Sequence, residues 1–190
     1  MPTAKSRDQL IDDLLAKQEV HEVMLRYARA VNRLDAEGVQ ACFQPDAWED
    51  HGGYRGPAAP FAEAFRPGVF RGFASMFHHI GNHLIELAGD RAASEAYFVG
   101  WHPYSDAGIE KQLLFGGRYL AVFERRGDGP WLIAERTVVH DWSRVDTVEA
   151  AWPGSADFWP GEFSTDDLVY RLLDERRERR APVGKGDRDG

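Results

Sequence analysis

Apolar residues recur at helical spacing from residue 10 to residue 34: Leu10, Ile11, Leu14 and Leu15, then Val20, Val23, Met24, Tyr27, Val31 and Leu34. Positions three and four apart share one face of a helix. No Gly or Pro interrupts the run, so the pattern predicts one long amphipathic helix, bent near residues 16–18. Asp35-Ala36-Glu37-Gly38 ends it. A short helix over 39–43, a turn at Gln44-Pro45-Asp46 and a short strand over 47–50 follow. Gly52-Gly53 and Gly56-Pro57 predict a loop before a third helix over 58–65. Pro67-Gly68 interrupts that helix, and a further helical turn fits before His78.

From Asn82 the period changes to that of strands. Segments 82–88, 92–104, 112–126 and 131–142 are separated by Gly-Asp turn signals at 88–90 and 126–129, as in hairpins. Beyond Trp142 the chain is loop-like, with Trp152-Pro153-Gly154 and Trp159-Pro160-Gly161 suited to a loop pinned down by its rings. Residues 166–180 predict a last helix with Thr165 as N-cap, and 183–190 a disordered tail. Helices first and an antiparallel meander after them define an α+β class. The expected shape is a cone-shaped α+β barrel: the long N-terminal helix and short helices pack on one face of a curved, mostly antiparallel sheet. Such a cone encloses an apolar pocket between sheet and helix. The domain spans 1–142, and 143–190 forms a C-terminal extension packed on it, as a lid or as a clasp on a neighbouring subunit.

The chain of 190 residues suits one core of this size. Its net charge of −8 argues against nucleic acid as a partner. The basic run at 176–180 is broken by Glu178 and reads as a solvated helix face. Cys42 is the single cysteine, which leaves no disulfide framework and no thiolate zinc site. No apolar run is long enough to span a membrane, and the polar first residues lack a secretory core. The expected location is therefore cytoplasmic.

Histidine supplies the candidate chemistry. His78, His79 and His83 fall within six residues, and Trp101-His102 lies on a later strand. Two imidazoles from separate elements in one apolar pocket make an acid–base site that needs neither metal nor cofactor. His79 would face away from His78 on a strand, and His83 and His140 read as structural or surface residues. No H-E-x-x-H arrangement supports a metal site. Tyr27, on the apolar stripe of the long helix, is a core residue or a hydroxyl donor to substrate. Arg118 is either a buried cation facing the pocket or a salt bridge on the sheet. Phe70, Phe73, Phe77, Phe98, Trp101, Phe115, Tyr119 and Trp142 are core residues or the walls of an aromatic pocket.

Several segments carry a resemblance: YARAVNRLD (27–35), FQPDA (43–47), HHIGNHLIE (78–86), GRY (117–119), FERR (123–126) and GPWLIA (129–134). Over residues 8–142 the chain resembles the SnoaL-like branch of the nuclear transport factor 2-like superfamily, and within it the scytalone dehydratases and hexachlorocyclohexane dehydrochlorinases. The resemblance implies that His78, four residues before Asn82, is the base and that His102, at the end of the next strand, is its partner. It places His51 where a relative has a tyrosine, and Asn32 where both have an aspartate that orients the histidine. It also implies a homo-oligomer, a dimer or trimer formed through the outer face of the sheet.

The expected function is thus a cofactor-independent lyase of dehydratase or eliminase type, including retro-aldol release of formaldehyde. Its substrate is a small hydrophobic, aromatic molecule. The catalytic candidates are His78, His102, Asn32, Tyr27 and His51; the substrate-binding candidates are Arg118, Tyr119, Phe77, Trp101 and Phe98. A double-bond isomerase, or a non-catalytic ligand carrier or assembly module favoured by Asn32, are the alternatives.

Overall fold

The structure is a computed structural model that describes residues 5–148, 155 and 157–180, with side chains described to residue 174. Trp152-Pro153-Gly154 and the tail at 183–190 lie outside the described residues. Helix α1 (Arg7–Asn32) starts one turn earlier than its apolar stripe, because Ser6 and Gln9 close a capping box around its first amides. Only its second half is buried, through Val20, Val23, Met24, Tyr27 and Val31. Leu10, Ile11, Leu14 and Leu15 are exposed. Helix α2 (Ala36–Gln40) begins earlier than its apolar residues indicated, because the Asp35 carboxylate accepts from the Gly38 amide.

Strand β1 (Phe43–Asp50) absorbs the expected turn at Pro45 as an irregularity between Phe43 and Trp48. Pro is tolerated at such a break in the ladder. Strand β2 (Arg55–Pro57) replaces part of the expected loop, and helix α3 (Ala58–Glu63) follows at once. Four long strands complete the sheet: β3 (Phe77–Ala88), β4 (Arg91–Asp106), β5 (Ile109–Arg125) and β6 (Trp131–Thr147). All four extend beyond the patterned segments, and β3 starts early enough to include His78. The β4–β5 turn has no Gly-Asp signal; Ala107 and Gly108 both take positive φ there.

The sheet order is β2-β1-β6-β5-β4-β3, antiparallel throughout except for the parallel pair β1–β6. The result is an α+β cone: a curved six-stranded sheet with α1 against β3 and β6 and the short helices closing one end. Helix α4 (Leu168–Arg180) starts after the expected cap at Thr165. Asp167 fills that place, accepting from the amides of Val169 and Glu162. Trp159 is 80% exposed, so it does not pin the loop; Phe163 meets the body instead, edge-on to Phe70 at 5.8 Å. Arg33 pairs with Asp167 at 3.0 Å, and the Tyr170 hydroxyl donates to Asp35 at 2.8 Å. No helix among the described residues is long and apolar enough to cross a membrane.

Gly117 lies at a register break between β5 and β6, where a Cβ would stand 2.0 Å from the Val139 carbonyl oxygen. That obstacle is backbone and cannot swing aside. Gly117→Ala is expected to destabilise the fold by about 1–3 kcal/mol in urea titration. The same change at Gly53, where a Cβ meets nothing, should leave the midpoint nearly unchanged.

Candidate active site

A cavity of about 480 Å³ opens between α1, α3 and the inner face of the sheet. Its walls are mainly Tyr27, Val31, Tyr54, Phe61, Phe65, Phe70, Phe73, Met76, Leu113 and Phe115. Four histidines line it: His51 just after β1, His78 on β3, His102 on β4 and His140 on β6. No Asp, Glu, Lys or Arg is among its lining residues. A larger polar cleft of about 740 Å³, lined by Glu19, Glu22, Arg26, Asp90 and Arg125 among others, contains none of the histidines.

His78 Nδ1 lies 2.7 Å from Asn32 Oδ1. An amide oxygen only accepts, so Nδ1 carries the proton and Nε2 is left with its lone pair. Asn32 thus fixes the tautomer, while its neutral amide offers no charge to an imidazolium. The His102 ring stands edge-on to that of His78 at 5.0 Å, and its Nδ1 is buried without a partner. Burial, with the positive charge His102, His51 and Arg136 can carry, lowers the His78 pKa to about 3. Burial and then His51 lower that of His102 to about 4. Both rings are therefore neutral at neutral pH.

A second constellation lies behind Tyr27. Glu49 and Arg136, on the parallel strands β1 and β6, are fully buried and paired. Arg136 Nε donates to Glu49 Oε2 at 3.0 Å and Nη2 donates to Oε1 at 2.8 Å. The guanidinium carbon lies 3.7 Å from the Tyr27 ring centroid and 5.1 Å from that of Tyr119. Burial pushes the Glu49 carboxyl up, but Arg136 and His51 outweigh it and hold its pKa below the ordinary value. Burial raises the Tyr27 phenol to about 12, so it stays protonated. Glu49 Oε1 also lies 3.0 Å from His51 Nδ1. The His51 amide donates to the Tyr54 carbonyl at 2.8 Å, so the expected loop begins as a hydrogen-bonded turn.

Of the expected catalytic residues, His51, His78, His102 and Tyr27 line this one cavity, and Asn32 stands behind His78. The expected substrate-binding residues are placed elsewhere. Phe77 and Trp101 are exposed on the opposite face of the strands that carry His78 and His102, as strand alternation requires. Arg118 faces outward and is held by Asp141 and Glu95. Phe98 and Tyr119 are core residues stacked on each other at 4.2 Å, behind the wall. His140, read as structural or surface, lines the cavity. Glu49 and Arg136 were missed. Their signal was weak: single charges at strand positions whose neighbours two residues away are apolar, Ala47 for one and Ala134 and Val138 for the other. Among the described residues no three His, Cys, Asp or Glu side chains gather to hold a metal ion.

An α+β cone with an aromatic cavity entered by histidines defines a class of small-molecule proteins rather than one activity. Residues 12–137 match the SnoaL-like domain, and the chain belongs to that family. Solved structures share the fold. A scytalone dehydratase candidate from Novosphingobium aromaticivorans is 18% identical, with a TM-score of 0.60 over 75% of this chain and 95% of its own. A hexachlorocyclohexane dehydrochlorinase of type 2 is 15% identical, with a TM-score of 0.67 over 76% of this chain and 98% of its own. A nuclear transport factor 2-like protein from Salmonella enterica is 18% identical, with a TM-score of 0.57 over 77% and 99%. No curated protein matches the sequence.

The depressed histidines make stability depend on pH. The unfolded chain takes up protons near pH ~6.5, whereas folded His78 and His102 stay neutral until about 3 and about 4. Their contribution is complete above the free imidazole value and is lost as the pH falls through that window. Each is expected to cost about 1.4 kcal/mol per pH unit between about pH 6 and about pH 4.5. Urea unfolding across this range should show the slope, and the double variant His78→Gln, His102→Gln should reduce it by the share of these two rings, leaving that of His83, which burial and His21 also lower to about 4.

Proposed function

We propose that this protein is a cofactor-independent lyase of the dehydratase or eliminase type. It acts by histidine acid–base chemistry on a small, uncharged aromatic substrate. The observation that carries this reading is the convergence of His51, His78, His102 and His140 on one aromatic-walled cavity. The volume suits a small ligand, and walls of rings without a charged lining residue favour a neutral aromatic one. The acceptor nitrogen of His78, fixed by Asn32, receives a substrate hydroxyl, and His102 contacts the oxygen beside it. Proton transfer by a placed imidazole contributes roughly 10²–10⁴-fold. Double-bond isomerisation and retro-aldol release of formaldehyde use the same parts. The fold-sharing dehydratase candidate and dehydrochlorinase support the elimination class.

A non-catalytic carrier is the second reading, favoured by the neutral Asn32 beside His78. A panel of aromatic alcohols, diols and ketones separates the two, followed by ultraviolet absorbance for conjugated products and by a colour assay for formaldehyde. Turnover of at least one compound is expected, and His78→Gln should lower kcat/KM by roughly 10-fold or more. Tight binding of the same compounds without turnover would make the protein a carrier.

The outer face of the sheet exposes Phe77, Tyr97, Trp101, Leu120 and Trp142, a candidate interface for a homo-oligomer. Trp101→Glu with Trp142→Glu is expected to lower the solution mass to that of one chain. An unchanged mass would place any interface elsewhere.

A further inference from the structure

We propose that the proton carrier of this cavity is His51, positioned by the buried Glu49–Arg136 pair, and that His78 binds substrate instead of taking the proton. The proposal rests on the lyase reading and says where its proton goes. Three observations support it.

The first is the partner of each imidazole. A ring that accepts a proton becomes a cation, and in an apolar cavity that cation needs a counter-charge. His78 has only the amide oxygen of Asn32 at 2.7 Å. His102 has a buried Nδ1 with no partner. Among the described residues, His51 is the cavity histidine hydrogen-bonded to a carboxylate, with Glu49 Oε1 3.0 Å from Nδ1. A carboxylate accepts, so Nδ1 carries the proton and Nε2 is the nitrogen available to a molecule in the cavity.

The second is how rigidly the carboxylate is held. Glu49 is fully buried, and Arg136 grips both its oxygens, so it is ionised and cannot turn away. Arg136 is itself clamped against the Tyr27 ring. His51 packs on Phe61 at 5.0 Å, and its backbone closes a turn onto Tyr54. Side chain and main chain are both fixed, which a base needs in order to meet one C–H bond.

The third is basicity. With a pKa near 3, His78 is far from the range in which a base is both free and strong at neutral pH. It remains a good hydrogen-bond acceptor, the property that substrate binding uses.

The step balances with His51 alone. The C–H bond beside the substrate carbonyl breaks as its proton moves to Nε2. The freed electron pair forms the C=C bond while the C–O bond breaks. The proton on Nε2 then passes to the departing hydroxyl, which leaves as water, and the imidazole returns to its starting state. His51 retains partial exposure, with 35% of its side chain accessible, so water can leave on that side.

The experiment compares His51→Gln, His51→Gly and His78→Gln on the compound of the aromatic panel turned over fastest, with β-hydroxypropiophenone included. Exchange of its acidic hydrogen in heavy water is followed by proton NMR. The expected result is a loss of kcat and of exchange by roughly 10²-fold or more in His51→Gln with KM nearly kept. His78→Gln should mainly raise KM. Added imidazole should restore part of the rate to His51→Gly, which a structural defect would not allow. The opposite order, exchange lost in His78→Gln and kept in His51→Gln, would overturn the assignment.

Glu49 is tested as a positioning residue by Glu49→Met combined with Arg136→Met, which leaves no unpaired buried charge. Nitrogen NMR of the His51 ring should show Nδ1 protonated in the wild type and mixed tautomers in this variant, with kcat reduced and KM held. An unchanged tautomer would remove Glu49 from the scheme. A wild type that turns over nothing on the panel ends the lyase reading and the proton-carrier role together. A wild type that is active with His51→Gln unimpaired ends only the latter.

Discussion

The buried ion pair of Glu49 and Arg136 is the interaction on which this architecture turns. The two residues are cross-strand partners on β1 and β6, the one parallel pair in the sheet. They close the cone where its short first strand meets its last. Both are removed from water, a loss of solvation that a single contact would not offset. Three hydrogen bonds between them, and the faces of Tyr27, Tyr119, Phe43 and Phe61 around the guanidinium, supply the rest. Those rings come from α1, β1, α3 and β5. One cation therefore sets the spacing of helix, sheet and cavity wall together.

The cavity in front of that pair is apolar in its walls and polar in its few points of chemistry. Its histidines are not equivalent, although they differ little in sequence context. Burial keeps His78 and His102 neutral at neutral pH. A passive container for an apolar ligand would gain nothing from such rings, since each buried polar atom without a partner costs roughly 1–3 kcal/mol. The unpartnered Nδ1 of His102 is such a cost.

Long-range features were legible in the sequence to the extent that periodicity reports them. The buried half of α1, the four long strands and the α+β order follow from apolar spacing and Gly-Asp turns. The edges do not. Strand β2 is only Arg55-Gly56-Pro57 and owes its existence to pairing with β1, which no local pattern announces. Pro45 reads as a turn, yet the sheet accommodates it by slipping register. In the site, His51, His78 and His102 could be gathered by resemblance and Tyr27 by its place on the helix stripe. Trp101, Phe77 and Arg118 could not be assigned a face without the true strand register, since one residue of slip reverses every side chain. Glu49 and Arg136 were invisible because a charge in a strand is ordinarily solvated. Only the three-dimensional pairing of two such charges makes burial tolerable.

The last turn of α1 is a junction of three connections. Asn32 holds His78, Arg33 holds Asp167, and Asp35 holds both the Gly38 amide and the Tyr170 hydroxyl. Within four consecutive residues the chain joins a histidine of the cavity, the start of the next helix and the anchorage of α4. The segment after the sheet is therefore braced against the same backbone that sets the tautomer of His78. Phe163, Asp167 and Tyr170 tie its spacing to Phe70, Arg33 and Asp35. That places a molecular ruler outside the region that matches the family.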